Sequence, residues 1–155
     1  MTALAFAQEH LFRPLDIPDV TWGSDQDGVT RSGWGLGMAP RDMARIGLLY
    51  LNGGVWEGQQ VVPGAWVKKS VERRFQIENP GEPWGLYYGH GWWLHDIGAF
   101  AAHGSGGQFI YVMPDLDVVA VFTGGLSDSD FAEPELLIRD CVTPAAASSG
   151  APVGK

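Results

Sequence analysis

Two runs of β-forming residues separated by a four-residue turn constrain this fold more than any other feature of the sequence. Phe109-Ile110-Tyr111-Val112-Met113 and residues 118–123 are rich in β-branched and aromatic side chains, which suit a pleated surface. Pro114-Asp115-Leu116-Asp117 between them is turn chemistry, so the pair predicts an antiparallel hairpin. Residues 87–95 and 100–103 read as two further strands. Helical signals come before and after. Residues 2–13 place Leu4, Ala7 and Leu11 on one face and stop at Pro14. Residues 40–51 open on Pro40, carry Asp42 in the first turn and end at Gly53-Gly54. A tight excursion around Glu57-Gly58 is expected over residues 55–62, and a short helix over 63–71. Residues 75–84 read as a polar loop, 130–142 as a last helix and 143–155 as a flexible tail with nothing to bury. Helices, then an antiparallel sheet, then a closing helix make an α+β domain: an antiparallel sheet with flanking helices.

Composition narrows the partners. At 155 residues the chain has the length of one domain. Hydrophobic residues at 45% and charged residues at 18% are globular values, which excludes a wholly disordered chain. A net charge of −8 argues against nucleic acid, which needs a basic surface. No apolar run approaches the length of a membrane helix, and residues 1–10 carry neither the basic start nor the cleavage site of a signal peptide. The compartment stays open. A single cysteine, Cys141, excludes an internal disulfide. Twenty-two glycines and seven tryptophans suit tight turns against large aromatic walls, as found in ligand pockets and equally in ordinary β-rich cores.

The sharpest local signal is Ala101-Ala102-His103-Gly104-Ser105-Gly106-Gly107-Gln108-Phe109. A histidine enters a turn of small residues and a strand leaves it. Glycines allow a carbonyl group to approach backbone N–H donors, as an oxyanion hole requires. A Gly-rich turn with an exposed histidine is the plainer reading of the segment alone. Ser105 does not fit a nucleophile elbow, because His103 replaces the glycine two residues before it and a strand follows. A Ser-x-x-Lys motif, which places both side chains on one helical face, is absent. None of Lys68, Lys69 and Lys155 lies three residues after a serine, and Ser70 is followed at that spacing by Arg73, which stays protonated. Tyr50-Leu51-Asn52 has the form Tyr-x-Asn, although packing of Tyr50 and a helix end at Asn52 explain it simply. His90, His95, Asp96 and His103 match no common zinc spacing, so no metal and no cofactor is expected.

Four stretches together resemble the β-lactamase-like serine hydrolases, the family of class C β-lactamases, penicillin-binding-protein-like esterases and related amidases. They are Gly37-Met38-Ala39-Pro40-Arg41-Asp42-Met43-Ala44-Arg45-Ile46-Gly47 running on to Gly54, Val61-Val62-Pro63 with Trp66, Tyr88-Gly89-His90-Gly91-Trp92-Trp93-Leu94, and His103 to Asp117. The resemblance covers residues 1–142 and implies a partial β-lactamase/transpeptidase-like fold that lacks its N-terminal half. It places His103-Gly104-Ser105 at the family's Lys-Thr-Gly or His-x-Gly strand. By that resemblance His103 contacts a substrate carboxylate or orients a tyrosine, and a backbone N–H near Gly106 completes an oxyanion hole. Trp93 and Gln108 are the substrate-binding candidates. The implied reaction is hydrolysis of an ester, an amide or a β-lactam through an acyl-enzyme. The chain alone is expected to be inactive, and to oligomerise or bind a complementing N-terminal fragment. A non-catalytic module of the same fold, binding a small ligand or protein, is the alternative.

Overall fold

The computed structural model describes residues 1–78, 85–127 and 132–149. Among these described residues, ten short strands and five α-helices follow in order. Helix α1 (Ala3–Ala7) starts where the Thr2 hydroxyl accepts the Ala5 N–H, and it runs on through a wider, π-type turn at Gln8–Phe12. Within the long connection, strands β1 (Thr21–Trp22) and β2 (Leu36–Gly37) pair antiparallel as a hairpin. Helix α2 is Pro40–Leu51, with the boundaries expected from its proline start and glycine stop. Strands β3 (Val55–Trp56) and β4 (Gln59–Gln60) form the tight excursion, turning on Glu57 and Gly58 at positive φ. Helix α3 is Gly64–Ser70.

Among the described residues the largest sheet has six strands in the order β10-β9-β8-β7-β6-β5, every pair antiparallel. They are β5 (Phe75–Gln76), β6 (Tyr87–Tyr88), β7 (Trp93–Leu94), β8 (Phe100–Gly104), β9 (Gln108–Met113) and β10 (Val118–Phe122). The expected hairpin is β9–β10, with Val118 opposite Met113 and Phe122 opposite Phe109. Two expectations change here. Residues 87–95 are not one strand but two, because Gly91 turns at φ 91° and the Gly89 N–H closes on the Trp92 carbonyl. The expected polar loop begins with β5, whose Phe75 and Gln76 pair with Tyr88 and Tyr87. Residues 79–84 of that loop lie outside the described residues.

The chain closes with α4 (Ala132–Leu137), a π-type turn at Ile138–Val142 and α5 (Thr143–Ser148). The tail expected from residue 143 therefore starts as helix. The widened turn bonds the Thr143 N–H to Ile138, and Pro144 then sits at the start of a new helical segment, where its missing donor costs little. Residues 130–131 of the expected last helix and 150–155 of the expected tail lie outside the described residues.

Side chains alternate across the sheet. Trp92, Phe100, Ile110 and Val112 face α2 and pack with Met43, Ile46 and Tyr50. Ala99, Ala101, Phe109, Tyr111 and Met113 face the C-terminal helices and pack on Ile138. A third cluster, Phe12, Leu15, Ile17 and Leu49, ties α1 to α2. Helix α2 lies unusually close to the sheet. A Cβ placed on Gly47 would stand 2.5 Å from Val119 Cγ1 and 3.0 Å from Ile110 Cγ2. Only glycine allows that approach without displacing a neighbour.

Candidate functional site

The Gly-rich turn is the corner of a cleft. Gly104 ends β8 opposite Gln108 at the start of β9, and Gly106 and Gly107 between them take φ of 86° and 87°. Positive φ at two successive residues is a glycine conformation. A side chain at Gly107 would also meet Leu126, 2.6 Å away. The Leu126 N–H donates to the Gly106 carbonyl, and Gln108 Nε2 donates to the Gly124 carbonyl at 3.0 Å, so the turn is fastened to the segment that follows β10.

A cleft of about 830 Å³ opens beside this corner. Ala102, Gly104, Ser105, Gln108 and Ile110 form one wall; Met43 of α2 and the segment 33–38 form the other. Hairpin β1–β2 presents that second wall. The Trp22 indole donates to the Arg31 carbonyl at 2.7 Å, and the Arg31 guanidinium lies 4.3 Å over the Trp34 ring. Trp34 is left 65% exposed and Leu36 42%, an unusual cost for two large apolar side chains unless they meet a ligand or another surface.

His103, Gly104, Ser105 and Gln108 thus border one cavity, and Gly106 shapes its corner. Trp93 does not line the cleft. Its ring stacks on the His103 imidazole at 5.5 Å and 12°. That contact lies on the far face of the sheet, since His103 also meets Phe109 and Tyr111, which pack toward α4. Trp92 and Tyr50 are core: their rings touch at 4.5 Å, and Asn52 caps α2. The four candidate metal ligands do not assemble as a set. His90 sits against Trp66, whereas His95 and His103 meet each other.

Behind β8 is a buried polar row. Glu135, only 1% exposed, accepts hydrogen bonds from Tyr111 Oη at 2.8 Å and Arg139 Nε at 3.0 Å, and its Oε1 lies 3.3 Å from His95 Nδ1. His95 Nε2 lies 3.3 Å from His103 Nε2. Arg139 also bridges to Asp96. Burial pushes His103 down to about 3, His95 adds to the shift and Glu135 opposes it. Burial works to raise Glu135, but the hydrogen bond and attraction of His95, with the bonds from Tyr111 and Arg139, outweigh it and hold the carboxyl at about 2. Burial and the neighbouring His95 thus favour the neutral imidazole of His103. The sequence reading missed Glu135, Tyr111 and Arg139. The i, i+4 spacing of Glu135 and Arg139 was the one available signal.

The Beta-lactamase family model matches residues 1–139. The chain belongs to the Beta-lactamase family. A 6-aminohexanoate-dimer hydrolase from Paenarthrobacter ureafaciens is 29% identical over 129 residues, which span 78% of this chain and 33% of that protein. The solved structure of a Bacillus anthracis protein named as a 6-aminohexanoate-dimer hydrolase superposes with a TM-score of 0.72 at 25% identity, covering 93% of this chain and 38% of the other. A Bacteroides dorei protein named as a beta-lactamase gives 0.71 at 16% identity over 90% of this chain and 50% of that one. An octameric penicillin-binding protein homologue from Pyrococcus abyssi gives 0.62 at 16% over 87% and 37%. This Beta-lactamase-family chain thus spans about a third of the curated relative and a third to a half of the solved structures. The partial α+β fold and the hydrolase character of the family agree with the resemblance in the sequence. Among the described residues no helix is long and apolar enough to cross a membrane.

Proposed function

We propose that this chain supplies the C-terminal wall of a serine hydrolase site that cleaves esters, amides or β-lactams through an acyl-enzyme. The observation that carries the reading is the cleft at the Gly104–Gln108 corner, in a chain of the Beta-lactamase family. There the backbone N–H groups near Ser105 and Gly106 serve as oxyanion donors, held by the fastened turn rather than by side-chain flexibility. The nucleophile and its base come from residues outside this sequence, which contains no Ser-x-x-Lys. Ser105 has the wrong setting for that role, because it lies between two antiparallel strands. Strand β10 ends the described sheet. Its apolar edge, Val118–Phe122, is the surface through which a complementing N-terminal fragment or a second copy pairs.

The test uses fluorophosphonate labelling followed by intact mass. The chain alone is expected to stay unlabelled. Co-expression with a family N-terminal segment carrying Ser-x-x-Lys is expected to give stoichiometric labelling on that segment. Labelling of Ser105 in the isolated chain would overturn the assignment. Assembly without labelling would favour the non-catalytic binding module. Light scattering of the chain alone at micromolar concentration checks the pairing surface, and a sharp monomeric mass would count against it.

A further inference from the structure

The Gly104–Gln108 turn is tied along the chain to Gly124 and Leu126. A second attachment runs through the far face of the sheet. His103 stands opposite Phe109 and Gly104 opposite Gln108, so the His103–Phe109 pair is the rung behind the one that closes the turn. The His103 ring lies against Phe109 at 4.8 Å and Trp93 at 5.5 Å, and its Nε2 meets His95. Aromatic contacts alone bury such a ring but leave its terminal torsion broad. A directed bond at one ring nitrogen selects a single orientation.

The hydrogens of the row follow from its donors and acceptors. Glu135 is an ionised carboxylate, kept so against its burial by His95, Tyr111 and Arg139. An ionised carboxylate only accepts, so the hydrogen between Glu135 Oε1 and His95 Nδ1 belongs to the imidazole. A neutral imidazole carries one N–H, which makes His95 Nε2 an acceptor. Facing Nε2 atoms 3.3 Å apart leave room for one hydrogen between the rings, and it is then carried by His103. Each link is directional, so the carboxylate on α4 decides which nitrogen of His103 bears hydrogen, with a whole ring between them. We propose that Glu135 is a positioning residue for the oxyanion corner: through His95 it holds His103 in the Nε2–H form, and the ring so held fixes the end of β8 from which the glycine turn departs. This rests on the hydrolase reading for what the corner does, whereas the fastening itself belongs to this chain alone.

The test reads the ring nitrogens directly. Long-range ¹H–¹⁵N spectra of the ¹⁵N-labelled chain are recorded at about pH 8, where an imidazole of ordinary value is neutral. They are expected to show His95 protonated at Nδ1 and His103 at Nε2. Glu135→Leu removes the acceptor. Both rings should then lose their single form, and the amides of Gly104 to Gln108 should shift while that of Gly47 on α2 stays in place. His95→Phe cuts the row but leaves Glu135 its bonds from Tyr111 and Arg139, so it gives the same reading at the corner should the first variant fail to fold. Glu135→Gln offers His95 a carbonyl oxygen and turns its amide to the Tyr111 hydroxyl, so it should restore the ring forms and the corner shifts of the parent. A role in packing alone would leave His103 in one form in every variant. His95 protonated at Nε2, either ring doubly protonated at about pH 8, or corner amides that stay in place in a folded His95→Phe chain would each overturn the proposal. Acylation is scored separately. Labelling of the assembled hydrolase with the wrong ring forms strikes this proposal and spares the hydrolase reading; the expected ring forms without labelling do the reverse.

Discussion

The two faces of one sheet differ in kind. Toward α2, Phe100, Ile110, Val112, Val119 and Val121 pack with Met43, Ile46, Tyr50 and Leu51. Toward α4, the alternate residues of the same strands hold a carboxylate, two imidazoles, a phenol and a guanidinium in a chain of short contacts. The first face is held by area and shape. The second is held by complete pairing, and buried polar groups fail abruptly when one partner goes. The apolar face bears the cleft wall, and the polar face lies behind it, where the His103 ring packs.

The sharpest way to break this contrast is Glu135→Ala, which leaves Tyr111, His95 and Arg139 without their common acceptor. A loss of about 3–5 kcal/mol is expected, read from the denaturant midpoint at constant slope. Tyr111→Phe removes one charge-assisted bond and keeps the ring, so about 1.5–3 kcal/mol is expected. On the other face, Gly47→Ala overpacks the contact with Val119 and Ile110 and should cost about 1–3 kcal/mol. Ala39→Thr tests a site away from both faces. Ala39 has extended backbone and no side-chain cap, so a hydroxyl there should stabilise α2 by about 0.5–1 kcal/mol. An unchanged midpoint for that variant would show the helix end to be satisfied already.

Acid separates the faces most cleanly. His103 has a folded value near 3 against 6.5, and Glu135 near 2 against 4.5. In both cases the unfolded chain binds the proton first, so stability rises with pH. It is complete above about pH 6.5, and it falls as pH drops through 6.5 to 3 for His103 and 4.5 to 2 for Glu135. Each group contributes a slope of at most about 1.4 kcal/mol per pH unit. His103→Phe should flatten the upper window, whereas Ile110→Val should leave the pH profile unchanged and lower it by about 0.5–1.5 kcal/mol. A profile in which both variants run parallel to the parent would remove the distinction between the faces.

What could be read in the sequence divides along the same line. The β9–β10 hairpin, α2 and the β3–β4 turn follow from short-range chemistry: β-branched runs, a proline start, glycines at positive φ. The corner at His103 to Gln108 was visible for the same reason. The division of residues 87–95 into two strands was not, because Gly91 is a turn residue within an otherwise β-like aromatic run. Nor was the polar row, since Glu135 lies 40 residues from His95 and 24 from Tyr111, and no local pattern links them. Trp34 gave no signal until hairpin β1–β2 brought it across from β8.

Gly47 and Met43 stand one helical turn apart on α2, the first at the contact with Val119 and Ile110, the second in the cleft wall. The missing side chain at 47 thus acts as a spacer of zero thickness beneath a rigid lever. Any bulk added there lifts the helix and draws the Met43 wall away from Ala102 and Ser105, so the aperture of the cleft is gauged by an atom that no ligand in it would touch.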